Sequence, residues 1–527
     1  MGDDMSFHKI VLLTVVLWQS VFVLTACGPK YPDFVPPTPT GATCQGISHA
    51  MMVPPAQFNT ERYAYREESG FKDPLQTPLS TFAVDVDTAA YSNVRRILHQ
   101  NRFPEAGAVR IEEMINYFSY AYPQPAGDAP VAVYRELSGC PWTPGHQLLQ
   151  IGLQAKAVDM KNAPPSNLVF LIDVSGSMSD VLPLVTRSLK MLAEQLQPDD
   201  RVAIVVYAGA SGVVLPPTSA AKREIIAEAL DNLEAGGATA GSAGIELAYQ
   251  LAAEHLIKGG NNRIILATDG DFNVGQTSED ALVRLIESKR DQGIYLTVLG
   301  FGSGNYSDVV GEALADHGNG NYAYIDNLLE AKKVLVSEIG GTLLTVAKDV
   351  KLQVEFNPVR VKGYRLIGYE NRLLNAEDFA NDKKDAGDMG AGHTVTALYE
   401  IIPRDGALQS GGELRYQQQS VSAAASAGGE LALVKYRYKH PEEDSSQILS
   451  FTVNGSPVDF AAASDNQRFA AAVAAFGMLL RDSQYKGAAD WDWITATARG
   501  AKGVDAAGDR AEFVKLVELA KMLEQKR

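Results

Sequence analysis

The chain has 527 residues, 46% of them apolar and 21% charged, with a formal net charge of −16. That length exceeds what one hydrophobic core supports, so several domains are expected. An acid surplus of this size keeps a chain soluble and repels phosphate backbones, which excludes nucleic acid as a partner.

Residues 10–23 form an apolar stretch behind Lys9, too short, and too broken by Gln19 and Ser20, to span a bilayer. The stretch reads as a secretory leader, with Asp3 and Asp4 out of character and Met5 an alternative start. Leu24, Thr25, Ala26 and Cys27 resemble a bacterial lipobox. That resemblance makes residues 1–26 a signal peptide and Cys27 the acylated residue that anchors the protein to a membrane. Gly28, where an aspartate would favour the inner membrane, points to the outer membrane facing the periplasm. Residues 27–76 then comprise the lipidated cysteine and a flexible tether rich in Pro, Thr and Gly. Cys44 and Cys140 remain, either a disulfide pair in an oxidising envelope or two unrelated thiols.

Over 77–160 the pattern predicts a strand at 80–84, helices at 89–100 and 110–118, and strands at 131–134 and 147–153. From 165 to 347 it changes to regular alternation. Apolar runs at 167–173, 201–207, 263–268, 294–300 and 321–325 are separated by helical spacing at 182–197, 221–234, 242–257, 278–292, 307–317 and 328–346. Continuous apolar strands are expected where helices cover both faces of a parallel sheet. The stretch 211–216 carries Pro216 after a tight turn and is expected as an antiparallel edge strand. Beyond 348 strict alternation returns at 350–356, 394–399 and 431–438, with a loop at 409–430 and helices at 464–482 and 509–525. The expected fold class is α/β, a doubly wound, mostly parallel sheet over 165–347. It is flanked by an N-terminal α+β segment (77–160) and a C-terminal β-rich domain with terminal helices (348–527). The alternation on both sides also predicts that the flanking strands pack together as one β domain.

Ligands of a doubly wound sheet bind beyond the carboxyl ends of its strands. Asp173 ends one apolar run and Asp269 follows another, while Ser175 and Ser177 lie two apart in the loop leaving the first. Thr239 sits in a glycine-flanked loop before a helix. Five oxygen donors without nitrogen or sulfur select Mg²⁺, with Mn²⁺ and Ca²⁺ as alternatives, over zinc or copper. Two carboxylates balance a divalent charge, and a vacant coordination position is then filled by an Asp or Glu of a partner.

Asp-x-Ser-x-Ser, a separate Thr and Thr-Asp-Gly resemble the metal-ion-dependent adhesion site of the von Willebrand factor type A domain. The motif falls on Asp173, Ser175, Ser177, Thr239 and Asp269 without departure, with Asp271 close by. The stretches 79–96, 110–118 and 363–372 resemble the bacterial YfbK-like lipoproteins. The resemblance implies a lipid-anchored envelope protein that binds a protein partner through its cation and is not an enzyme. The alternatives are a metal-assisted hydrolase, for which Asp271 is the one available base, and a structural role in envelope assembly. Gly300, Gly302 and Gly304 mimic a dinucleotide fingerprint, but Asn305 stands where its third glycine belongs, so no nucleotide is expected. Asp85 and Asp87 are expected to cap the helix that begins at Ala89, with a turn or a small accessory cation site as the alternatives. No residue is assigned a catalytic role.

Overall fold

The structure, a computed structural model, describes residues 61–527 except 86, 238–240, 271–278, 305, 385, 409–420, 444 and 526–527. The leader, most of the tether, Cys27, Cys44, Thr239 and Asp271 lie outside the described residues. Everything from Gln57 onward belongs to one compact unit.

The N-terminal segment forms β1 (Leu79–Ala83), α1 (Ala89–His99), α2 (Ile111–Asn116), β2 (Val131–Gly139) and β3 (Gln147–Ala155). The middle opens with β4 (Ser166–Asp173), α3 (Leu182–Gln195), β5 (Arg201–Tyr207), β6 (Ser211–Ser219), α4 (Arg223–Asp231) and α5 (Gly241–Glu254). It continues with β7 (Asn261–Thr268), α6 (Glu279–Arg290), β8 (Ile294–Gly300), α7 (Asp308–His317), β9 (Tyr322–Tyr324), α8 (Leu328–Lys332) and α9 (Ile339–Leu343). Then follow β10 (Thr345–Phe356), β11 (Val361–Leu366), β12 (Leu373–Leu374), β13 (Met389–Gly390), β14 (Thr394–Pro403), α10 (Ala423–Ala427), β15 (Glu430–Lys439) and β16 (Ser446–Asn454). Helices α11 (Asp465–Leu480), α12 (Trp491–Gly500) and α13 (Asp509–Glu524) close the chain.

The middle segment is the expected doubly wound sheet, in the order β6-β5-β4-β7-β8-β9, parallel except for β6 at its edge. The central stretches of β4, β5, β7 and β8 are apolar because both faces are covered. Val169 and Leu171 of β4 pack with Tyr249, Ile286 and Leu314 of α5, α6 and α7. Phe170 and Ile172 face the other way, toward Leu189 of α3 and Ile226 of α4. The helix expected over 328–346 is broken. α8 passes into a π-helical turn at Lys333–Ser337, α9 follows, and β10 already begins at Thr345.

The flanking segments share two sheets. One runs β12-β1-β10-β15-β16, with β13 on β10, and the other β11-β14-β3-β2. Leu79–Ala83 therefore pairs with residues some 270 positions later, Leu79 opposite Glu355 and Ala83 opposite Lys351. The sheets enclose one core in which Phe82, Leu352 and Val354 meet Leu149, Ile151 and Tyr399. The Tyr399 hydroxyl reaches the Ser80 hydroxyl across that core at 2.9 Å. Leu148 and Leu398 point outward from the second sheet into a helical layer with Phe469, Phe476, Trp491 and Phe513. Helix α12 and strands β11 and β16 had no counterpart among the predicted elements.

Three arginines tie the segments together. Arg95 of α1 donates to Asp326 (2.8 Å), Glu330 (2.7 Å) and Glu512 (3.3 Å), which belong to the α/β segment and to α13. Arg110 pairs with Glu113 and with Asp308 of α7. Arg372 reaches Asp87 (2.9 Å), Asp316 (2.7 Å) and Asp85 (3.2 Å). This corrects the capping expectation for Asp85 and Asp87. Thr88 holds the N-cap position without a side-chain bond, and Asp87 is buried, accepting from Arg372 and from the Tyr322 N–H. Pairing is what permits such carboxylates to be buried at all.

Candidate metal centre

Strands β4 and β7 lie side by side, Ile172 opposite Ala267, so Asp173 ends β4 beside Thr268, the last residue of β7. From β4 the order proceeds one way to β5, and from β7 the other way to β8. The two strand ends therefore flank the topological switch point, where such sheets open a crevice.

Asp173 is fully buried. Its Oδ1 accepts the Ser175 N–H at 2.8 Å, while its Oδ2 is buried and makes no hydrogen bond of normal geometry among the described residues. Burial pushes the Asp173 carboxyl up to about 6, the negative charge of Asp269 adds to the rise, and Ser175 and the Tyr207 hydroxyl pull the other way. Asp173 makes no ion pair among the described residues.

Ser175 is buried and Ser177 exposed, and their hydroxyl oxygens lie 3.1 Å apart, a step from interior to surface. The single helical turn Gly176–Asp180 that holds them is anchored by the buried Met178. Two backbone bonds fasten this loop to the glycine pair before Thr239. Gly236 N donates to Val174 O (2.7 Å) and Gly176 N to Gly237 O (3.1 Å). Gly237 has φ +90, which a glycine accepts without strain.

Asp269 is buried directly after β7. Gly270 follows at φ +85, and a Cβ there would come 2.4 Å from Ser307 N. Gly302 lies against the other side of Asp269, where an added Cβ would sit 3.3 Å from the Asp269 Cβ. The structure thus brings Asp173, Ser175, Ser177 and Asp269 to one rim. It places Gly236 and Gly237 there too, while Thr239 and Asp271 lie outside the described residues. Tyr207, opposite Asp173 in the β4–β5 pairing, was missed. It ends the neighbouring apolar run, which was its only signal. An all-oxygen set with a buried carboxylate that has no counter-charge among the described residues suits a hard divalent cation.

Other acids group elsewhere. Carboxylate oxygens of Asp87, Glu113 and Glu312 lie within 4.8 Å of one another. They are taken up by Arg372, Arg110 and Asn371, as well as by backbone N–H groups. Cys140 is a free, buried thiol, and its candidate disulfide partner Cys44 lies outside the described residues.

A central β4 with a rim of two acids and two hydroxyls defines a von Willebrand factor type A domain protein. The family description "von Willebrand factor type A domain" matches residues 167–335, "von Willebrand factor" matches 57–150, and "Uncharacterized protein YfbK, C-terminal" matches 341–523. The chain is 46% identical to the uncharacterized protein YfbK of Escherichia coli (strain K12) over 474 residues, 88% of this chain and 82% of that one. It belongs to the YfbK family. It is also 35% identical over 188 residues to the uncharacterized protein sll0103 of Synechocystis, covering 35% of this chain and 43% of that protein. Among solved structures, a von Willebrand factor type A protein from Catenulispora acidiphila superposes with a TM-score of 0.40 at 17% identity, over 77% of this chain and 91% of that one.

Proposed function

We propose that this protein is anchored in the cell envelope by a lipid on Cys27 and binds a protein partner through a divalent cation at the β4–β7 rim. Magnesium fits the donor set, as do manganese and calcium. The Ser175, Ser177 and Thr239 hydroxyls would coordinate directly, with Asp173 and Asp269 balancing the charge, in part through water. When bound, the ion supplies an electrophilic position for an Asp or Glu side chain of the partner. The anchor would place the protein on the outer membrane, facing the periplasm. The role is capture without turnover, because the rim's carboxylates would be committed to balancing the ion.

The observation that supports this reading is the buried Asp173 carboxylate, which has no ion pair among the described residues and is held near a second carboxylate. Two like charges out of water disfavour each other, and a cation between them offsets both penalties. The test has two arms. Manganese should bind the full chain stoichiometrically by electron paramagnetic resonance, and Asp173→Ala or Ser175→Ala should abolish it. An envelope extract passed over immobilised protein should then yield a bound protein in magnesium that is lost in EDTA and with Asp173→Ala. Equal manganese binding by native and altered chains would reject the metal assignment. Identical bound sets in all lanes would reject the capture role.

A further inference from the structure

A second cavity lies at the opposite, amino ends of the central strands, between β7–β9 and the residues around β12 and β13, with a volume of about 500 Å³. That is the size of a small-molecule site. Arg263 of β7 lines it and is 3% exposed. Its Nη1 donates to the Thr297 hydroxyl at 2.7 Å, and its guanidinium lies over the Tyr295 ring at 5.4 Å. Its Nε is buried without a hydrogen-bond partner among the described residues. No carboxylate pairs with Arg263 among the described residues. Burial pushes the guanidinium down to about 10, opposed by Tyr295 and by Asp388, which lines the same cavity.

The other charges around the cavity divide into two groups. Arg372 is taken up by Asp85, Asp87 and Asp316, His317 by Glu287, and Arg290 by Asp291. Lys383 and Lys384 line the cavity, are exposed, and make no ion pair among the described residues. Asp388 also lines the cavity, so one buried guanidinium and two ammonium groups face one carboxylate besides the acids already paired. A buried cation without a counter-charge costs several kcal/mol, and the free edge of a guanidinium matches the two oxygens of a carboxylate or phosphate.

We infer that this cavity is a second binding site, independent of the metal rim, for a small ligand carrying a carboxylate or phosphate group. Arg263 grips the oxyanion, and Lys383 and Lys384 complete the charge at the mouth. The test is isothermal titration of the full chain in EDTA with succinate and, separately, inorganic phosphate. One or both should bind saturably, and the tighter of the two identifies the head group. Arg263→Gln should weaken that binding about tenfold or more, equivalent to 1.4 kcal/mol or above. Because Arg263 is buried, the Lys383→Ala, Lys384→Ala double variant provides a second reading. Its substitutions are exposed, its circular dichroism should match the native chain, and its affinity should fall several-fold. Absence of saturable binding by both probes, or unchanged affinity in the lysine double variant, would overturn the inference.

Discussion

Replacing Arg95 with methionine removes a cation shared by Asp326, Glu330 and Glu512. Methionine keeps much of the volume and the apolar contact with Tyr91 and Tyr117 but offers no donor. Glu330 is fully buried and has one oxygen already unpartnered, so it cannot turn to water for compensation. Breaking a buried pair on one side costs about 3–5 kcal/mol, because the surviving charge is left without a counter-charge. Unfolding entropy scales at about 2 cal/mol/K per residue, which is roughly 1 kcal/mol/K for a unit of this size, so Tm should fall by about 3–5 °C. The sign of the pH dependence follows from the carboxyls. Burial already raises those of Glu330 and Glu512, and losing Arg95 raises them further. A carboxyl raised above its unfolded value costs nothing below that unfolded value, and the cost grows as pH rises toward the folded one. The deficit of Arg95→Met should thus be largest near about pH 8 and shrink toward about pH 5. Differential scanning calorimetry of both chains at the two pH values measures it. A deficit below about 1 °C at the higher pH, or one that grows on acidification, would refute the idea that Arg95 holds the segments together by charge.

Magnesium at about 100-fold above its dissociation constant should stabilise the native chain by about 2.7 kcal/mol, a rise of some 3 °C in Tm over EDTA, and Asp173→Ala should erase the rise. Gly270→Ala forces a side chain into φ +85 against Ser307 N, so it should cost about 1–3 kcal/mol and weaken manganese binding by displacing Asp269; thermal melts and paramagnetic titration read the two effects. Cys140 is buried and its thiol is pushed up by burial, so in a Cys27→Ser, Cys44→Ser chain it should resist Ellman's reagent until urea unfolds the protein.

The parts of the fold that were legible in the sequence are those where burial is uniform. The central strands read as continuous apolar runs because helices cover both faces, and the rim was visible because Asp173 and Asp269 end two such runs. Strand β16 escaped notice because most of its residues are exposed or only half-buried, leaving no apolar rhythm. Strand β11 carries Arg365 next to its end, a residue that reads as solvent-facing until its buried pairing with Glu400 at 2.9 Å is known. Helix α12 was hidden by Trp491 and Trp493, which suggest packing rather than helix; Asp490 caps it by accepting the Trp493 N–H. Asp85 and Asp87 look like a local cap because their true partner, Arg372, is nearly three hundred residues away. Long-range charge pairing leaves no local periodicity to read. The break in the expected 328–346 helix had a cue in Gly340 and Gly341, where the chain runs so close to Gly390 that a Cβ on Gly390 would meet the Gly341 carbonyl.

The union of the first and last thirds of the chain in common sheets has a consequence for biogenesis. A ribosome releases β1 and β3 long before β10 and β14 exist to pair with them. The central α/β segment, built from near-neighbour connections, has all of its strands in hand far earlier. Strand β1 and the open edge of the β2–β3 pair must therefore wait, sticky and unfinished, while the middle of the molecule matures, and non-local pairing of this kind is slow and prone to aggregation.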